Sequence, residues 1–225
     1  MSRYLRLDPR LRGRFPDLNA EIIVFRDVHV VQRGDELEQY KIEVAGRLKA
    51  RWSLDQLRDD PLFRAYRDFF WRLGVDPTKN RPAAEALIRR VLRDSPIPRI
   101  NTWVDAYNLV SMETAIPVAS FDADKLRGEL IMREAEAGEP FTGIGMDKPM
   151  TLAGGEAVIQ DDEALVAVYP YRDADHSKVS LETENVLMLM CGAPGVAMET
   201  LSRASHVARE VLPRFCGGRA LAVDP

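Results

Sequence analysis

The chain has 225 residues, 46% of them hydrophobic and 29% charged, with a net charge of −4 at pH 7. That length buries a core without staples, and the composition excludes a disordered, collagen-like, coiled-coil or disulfide-built chain. No apolar run nears the roughly 20 residues that span a bilayer, the opening MSRYLRLDPRLRGRF has no apolar centre of a secretory signal, and two cysteines, Cys191 and Cys216, fit a reducing compartment, so a cytoplasmic protein with no membrane partner is expected. The charge is unevenly spread. Residues 1–100 hold 21 Lys and Arg against 15 Asp and Glu, whereas residues 101–225 hold 10 against 20. A basic first part suits phosphates and an acidic second part suits an amino-bearing ligand. Ordinary solvated faces fit both parts equally well.

In chain order, EIIVFRDVHVV (21–31) is rich in β-branched residues and reads as a strand. Leu37, Tyr40, Val44 and Leu48 recur at helical spacing, predicting a helix over 35–50. Asp60-Pro61 opens a second helix, with Asp60 as cap, a stripe of Leu62, Tyr66, Phe69, Phe70 and Leu73, and Gly74 as its stop. A third begins at Arg81-Pro82, runs along Ala84, Leu87, Ile88, Val91 and Leu92, and ends at the SPIP segment (95–98). Residues 100–117 place Trp103, Ala106, Tyr107, Val110 and Ser111 on one helical face, capped by Asn101 or Thr102 and closed by Pro117. Short segments with turn signals then predict an antiparallel sheet or barrel. VLMLM within 181–192 reads as a core strand, 194–212 as a terminal helix, and the tail from Cys216 as loose. The only plausible boundary lies at 94–99, between short helices. A single domain over 1–225 is therefore expected, with 1–94 as an N-terminal α/β extension and 95–212 as the core.

Most standard chemistries are absent. Gly143 and Gly145 lack the strand–loop–helix setting of a dinucleotide site, and there is neither a P-loop nor a GxSxG elbow. Gly154-Gly155 and Gly217-Gly218 read as turns. His29, His176 and His206 are too far apart for a zinc site, so no metal or other cofactor is expected. Two polar sets stand out. YPYRDADHSK (169–178) places Arg172, Asp173, Asp175, His176, Ser177 and Lys178 together after an apolar strand. Carboxylates near a histidine orient a water or hold an amine; a solvated hairpin loop fits the same run. Asn101, Asp105 and Asn108 share one helical face, where interior Asn and Asp are disfavoured. They read either as a pocket wall or as a cap with an exposed face.

The ordered residues Asn101, Val104, Asp105 and Asn108, then Pro117, Phe121, Asp122, Asp124 and Lys125, then Arg133, Gly138 and Glu139, then Val179, Thr183, Asn185, Val186 and Leu187 resemble the tRNA-binding and editing domain of the phenylalanyl-tRNA synthetase β subunit. The likeness covers roughly residues 95–205, and GVDPTKNRPAAEALIRRVL (74–92) resembles the lead-in of free-standing proteins built on that domain. It implies a mixed α+β fold, a barrel-like antiparallel sheet flanked by helices, without an aminoacylation domain. It also implies binding of the aminoacylated 3′ end of tRNA and hydrolysis of a wrongly attached amino acid. Ala119 stands where that family has His, Leu189 where it has Glu, and Pro170, Tyr171 and Arg172 where it has a Gly-Gly turn. The free-standing relatives resemble this chain in an Arg-Asp pair and a downstream Lys, here Arg172, Asp173 and Lys178.

Three readings follow. In the first, Asn101, Asp105 and Asn108 line a pocket for an aminoacyl-tRNA end. Arg172 and Ser177 face it, Asp173 or Asp175 takes the α-amino group, and His176 with Asp173 activates water. In the second, the same pocket binds a small amino-acid-like metabolite, or the tRNA end, without catalysis. In the third, RNA is held by the basic clusters Arg10, Arg12 and Arg14 and Arg89, Arg90 and Arg93, against solvated helix faces as the plain alternative.

Overall fold

A computed structural model describes residues 5–221. The chain opens with β1 (Leu5–Leu7), α1 (Pro9–Arg14) and β2 (Ala20–Arg26). Five helices follow: α2 (Asp35–Arg51), α3 (Leu54–Asp59), α4 (Pro61–Arg72), α5 (Ala83–Leu92) and α6 (Thr102–Thr114). The strand-rich part comprises β3 (Val118–Asp122), β4 (Leu130–Glu134), β5 (Pro140–Phe141), β6 (Met150–Thr151), β7 (Ala157–Gln160), β8 (Leu165–Val168), β9 (Arg172–Asp173) and β10 (Val186–Cys191). The chain closes with α7 (Met198–Cys216) and β11 (Arg219–Ala220). The local signals explain most starts. Asp60 accepts from the N–H of Leu62 at 2.9 Å ahead of Pro61, and Asn101 accepts from the N–H of Val104 at 2.9 Å. Ser53 and Gln56 form a capping box that starts α3.

The fold is mixed α+β, with antiparallel pairing flanked by helices. One sheet runs β11–β2–β10–β3, all antiparallel. A second large sheet runs β1–β4–β7–β8–β9, in which only the β1–β4 pair is parallel, and β5 with β6 forms a separate two-stranded antiparallel ribbon beside these two sheets. Neither closes, so the expected barrel is two open sheets. Where closure would occur, the outer edge of β3 meets the segment after β9 through a single bridge, Phe121 to Lys178. The polar turns between Ala174 and Glu184 cannot continue a ladder there.

Strand β10 is buried along its whole length between β2 and β3, which is why it reads as an unbroken apolar run rather than an alternating one. Helix α6 packs against α7 and against β3. Trp103 is fully buried, its ring 5.1 Å from that of Phe25, and its Nε1 donates to Ser120 Oγ at 2.8 Å. This ties α6 to the edge strand that borders the site. On its other side α6 is tied to α2. Lys41 Nζ lies 2.6 Å from Asp105 Oδ2 and 2.6 Å from Glu38 Oε1, and the N–H of Ile100 donates to Asp105 Oδ1 at 2.9 Å. The tail is not loose as expected. Arg219 and Ala220 pair with Arg26 and Phe25 of β2. Gly218 makes this approach possible: its φ is +71°, and a Cβ there would lie 2.5 Å from the carbonyl oxygen of Arg26.

Candidate functional site

The four elements α6, β3, β9 and β10 meet at the open corner between the sheets, and one titratable group there is strongly perturbed. Asp173 ends β9, opposite Ala167, and its carbonyl accepts from the N–H of Ile144 at 2.9 Å. Its side chain lies toward the outer edge of β3. Burial pushes its carboxyl up to about 7, and the backbone N–H of Ser120 pulls the other way without prevailing. Among the described residues, no cation pairs with it. Part of the residue remains open to solvent, so the buried carboxyl sits in a recess close to the surface.

Tyr107 reaches the same recess from α6. Its phenol is pushed up by burial first, then by the charges of Asp173 and Asp105, and its hydroxyl makes no hydrogen bond among the described residues. Cys191, at the end of β10, is held as a thiol by burial and by Asp173. A carboxyl that titrates near neutrality beside an uncommitted phenol can bind an ammonium group, take a proton from water, or donate a hydrogen bond.

Arg172 lies at the rim. Its guanidinium stacks over the Tyr171 ring at 5.3 Å, and its Cδ occupies the space beside Gly143, where a Cβ would come within 2.3 Å. Gly143 also bridges to Ala174, so the glycines of FTGIG serve this loop rather than a dinucleotide. The Tyr171 hydroxyl donates to Asn80 Oδ1 at 3.1 Å, tying the rim to the α4–α5 connection.

The remaining expected residues are dispersed. Asn101 Oδ1 is spent as the α6 cap, and Asp105 as the partner of Lys41 and of the Ile100 N–H. Asn108 is half-buried, with no side-chain hydrogen bond among the described residues. Asp175 pairs with Lys178 at 2.8 Å, which holds its carboxyl below the usual range. His176 is exposed, with Asp175 as its electrostatic neighbour and no hydrogen bond to Asp173. Ser177 is fully buried. Its carbonyl accepts from the N–H of Asp122 at 2.8 Å, and its Oγ has no partner. Among the described residues, no three His, Cys, Asp or Glu side chains converge as metal ligands.

Tyr107 and the Ser120 N–H were not singled out by the sequence. Tyr107 reads there as one apolar residue of a helical stripe, although a buried phenol requires a partner or a cavity for its oxygen. The residues that carried the resemblance build the scaffold. Asp122 Oδ2 accepts from Thr183 Oγ1 at 2.7 Å and lies 3.3 Å from Lys125 Nζ. Asn185 Nδ2 donates to Asp124 Oδ2 at 2.7 Å, and Arg133 grips Glu139 at 2.5 and 2.9 Å.

Residues 65–219, which contain every element of this corner, match the family model described as the B3/4 domain. Similar curated proteins include phenylalanine–tRNA ligase beta subunits. That of Pectobacterium atrosepticum is 34% identical over 108 residues, 48% of this chain and 14% of the ligase subunit. That of Geobacter metallireducens is 36% identical over 109 residues, 48% and 13% respectively. That of Leifsonia xyli is 27% identical over 157 residues, 70% and 18%. The chain thus spans less than a fifth of these relatives' length. In three dimensions it is similar to an N-terminal fragment of the phenylalanyl-tRNA synthetase beta-subunit from Pyrococcus horikoshii. The TM-score is 0.53 over 98% of this chain and 50% of that one, at 13% identity, which is a likeness of fold. The match over residues 65–219 is decisive: the chain belongs to the B3/4 domain family.

Proposed function

We propose that this chain binds the aminoacylated 3′ end of tRNA in the Asp173 recess and hydrolyses amino acids wrongly attached there, acting in the cytoplasm. The observation that carries the reading is Asp173: a carboxyl without a cationic partner, titrating at about 7, in the same recess as a phenol without a hydrogen bond. The relatives named phenylalanine–tRNA ligase beta subunit support the ligand class. In the ligand-free protein burial holds the Asp173 carboxyl at about 7, so both its protonation states are accessible near neutral pH. An arriving α-ammonium group would favour the carboxylate, and the apolar surroundings would strengthen that interaction. Arg172, planar and bidentate, takes the terminal phosphate at the rim. Asn108 and Ser177 supply polar groups around the amino acid. His176 and Asp175, on the outer part of the loop, meet the nucleotide rather than the reacting water.

For hydrolysis, the Asp173 carboxylate oxygen that does not face the ammonium group is the general base. It takes a proton from a water whose oxygen attacks the ester carbonyl carbon. The carbon–oxygen bond to the ribose then breaks, and the proton passes to the departing ribose oxygen. The Tyr107 hydroxyl donates to the carbonyl oxygen as its charge develops. The assay is deacylation of a panel of correctly and wrongly charged tRNAs by the wild type, Asp173→Asn and His176→Ala. Turnover on a mischarged tRNA, reduced roughly 10²-fold or more in Asp173→Asn and little changed in His176→Ala, is expected. A second reading is a binding module without catalysis, favoured by Ala119 and Leu189 standing where the resembled synthetase domain has His and Glu. Saturable binding with no turnover on any charged tRNA would establish it instead.

A further inference from the structure

We infer that the arginine stripe of α5 and the facing side of α4 form a second binding surface, for the phosphate backbone of the RNA whose end enters the recess. The geometry rests on Glu85, whose side chain is 2% exposed and is approached by three guanidinium groups. Arg67 Nη1 lies 3.1 Å from Oε2, Arg89 Nη1 3.4 Å from Oε1 and Arg81 Nε 3.5 Å from Oε1. One carboxylate balances one of these cations, and Arg93 adds its charge a turn beyond Arg89. The nearby carboxylates Asp55 and Asp59 are taken up by Arg58, at 3.5 and 3.0 Å. The cluster is therefore over-supplied with positive charge at a buried position. Burial, with the field of Arg81, Arg93 and Arg67, lowers the pKa of Arg89, and Arg89 Nε is buried without a hydrogen-bond partner. Arg67 also donates to the carbonyl of Arg58, but Arg81, Arg89 and Arg93 still share one buried carboxylate, and their mutual repulsion opposes folding.

The shape of the surplus selects the ligand. Positions 81, 85, 89 and 93 recur every four residues, from just before α5 to its C-terminal cap, and the 10-residue helix between them is about 15 Å long. That reaches past one phosphate, so it suits a chain of phosphates better than a single anion. Arg81 and Arg93 keep their guanidinium groups accessible, whereas Arg67 and Arg89 are mostly covered. The inference rests on the tRNA reading above but uses different residues, so the two can fail separately.

The test is fluorescence anisotropy of uncharged tRNA against the full chain over a salt series. The variants are Arg81→Ala, Arg93→Ala and their double, with thermal melts as a control; these two arginines are chosen because the buried Arg67 and Arg89 risk the fold. Removing one arginine–phosphate interaction should flatten the slope of log K against log salt by about 0.7 to 0.9, and the double variant should bind about tenfold or more weakly at low salt. Wild-type affinity and slope in a well-folded double variant would overturn the stripe, while deacylation that persists would keep the recess reading. If tRNA does not bind the wild type at all, both fail. A melt raised by millimolar inorganic phosphate alone, without tRNA affinity, would make this a small-anion site and overturn the RNA surface.

Discussion

Asp173→Asn should stabilise the protein at alkaline pH while removing the proposed deacylation. The native carboxyl titrates at about 7 against an ordinary 3.8, so near pH 5 the folded state holds a proton that the unfolded state has lost. Stability therefore falls as pH rises, because the folded state binds more protons than the unfolded one. Between about pH 5 and pH 8.5 the wild type gives up two units of this difference, about 3 kcal/mol at 1.36 kcal/mol per unit. The asparagine variant has no such dependence at this position. Its stability relative to wild type should thus rise by about 3 kcal/mol across that window, a relative gain in Tm of roughly 6–12 °C for a domain of this size. Paired thermal melts at the two pH values measure it, with the wild-type and variant curves compared at each pH so that other titrating groups cancel. A relative Tm that does not change between the two pH values would refute the assignment of a perturbed, buried carboxyl to Asp173.

Other consequences are independent of that one. Lys41→Met leaves Asp105 charged and buried without its partner, so a loss of about 3–5 kcal/mol is expected in urea unfolding; a loss below about 1 kcal/mol would mean the ion pair is not buried as described. Tyr107→Phe removes a hydroxyl that bonds to nothing in the free protein, so stability should stay within about 0.5 kcal/mol while deacylation falls roughly tenfold or more. Equal activity would remove Tyr107 from the site. Gly143→Ala places a methyl against Cγ and Cδ of Arg172 and 3.1 Å from the buried Phe141 ring, so it should lower the Tm as well as raise the Kd for charged tRNA; an unchanged melt and Kd would contradict the packing. Binding of an aminoacyl ligand needs ionised Asp173 and a protonated amine, so affinity should peak between about 7 and 8; affinity that rises steadily toward pH 5 would contradict the ammonium interaction.

The fold was largely legible because its signals are local. Asp60-Pro61, Asn101 and the apolar stripes of α2, α4 and α5 announce helices through spacing and caps. VLMLM, buried on both faces, announces a central strand. The pairings that reverse chain order were not legible. Nothing in 5–7 says that β1 lies beside β4, and nothing in 219–220 says that the tail adds to β2, since two- and three-residue strands carry no period. The open corner was invisible for the same reason: it depends on where β9 stops against β3. For the proposed site, the polar run 169–178 supplied Asp173 and Arg172 as candidates. The same compositional signal drew in Asp175 and His176, which are solvated, and helical spacing drew in Asn101 and Asp105, which serve as cap and ion-pair partner. Composition identifies polar residues, but only three-dimensional burial separates Asp173, which has no cation partner among the described residues, from Asp105 and Asp175, which pair with lysines.

The central assignment is aminoacyl recognition by Asp173. Its most direct measurement is calorimetric binding of a non-hydrolysable 3′-aminoacyl-amide adenosine, with adenosine as reference, to the wild type and Asp173→Asn. The aminoacyl compound should bind the wild type at least tenfold more tightly than adenosine, and Asp173→Asn should erase that difference. Equal binding of the two compounds to the wild type, or a preference that survives in the variant, would contradict it.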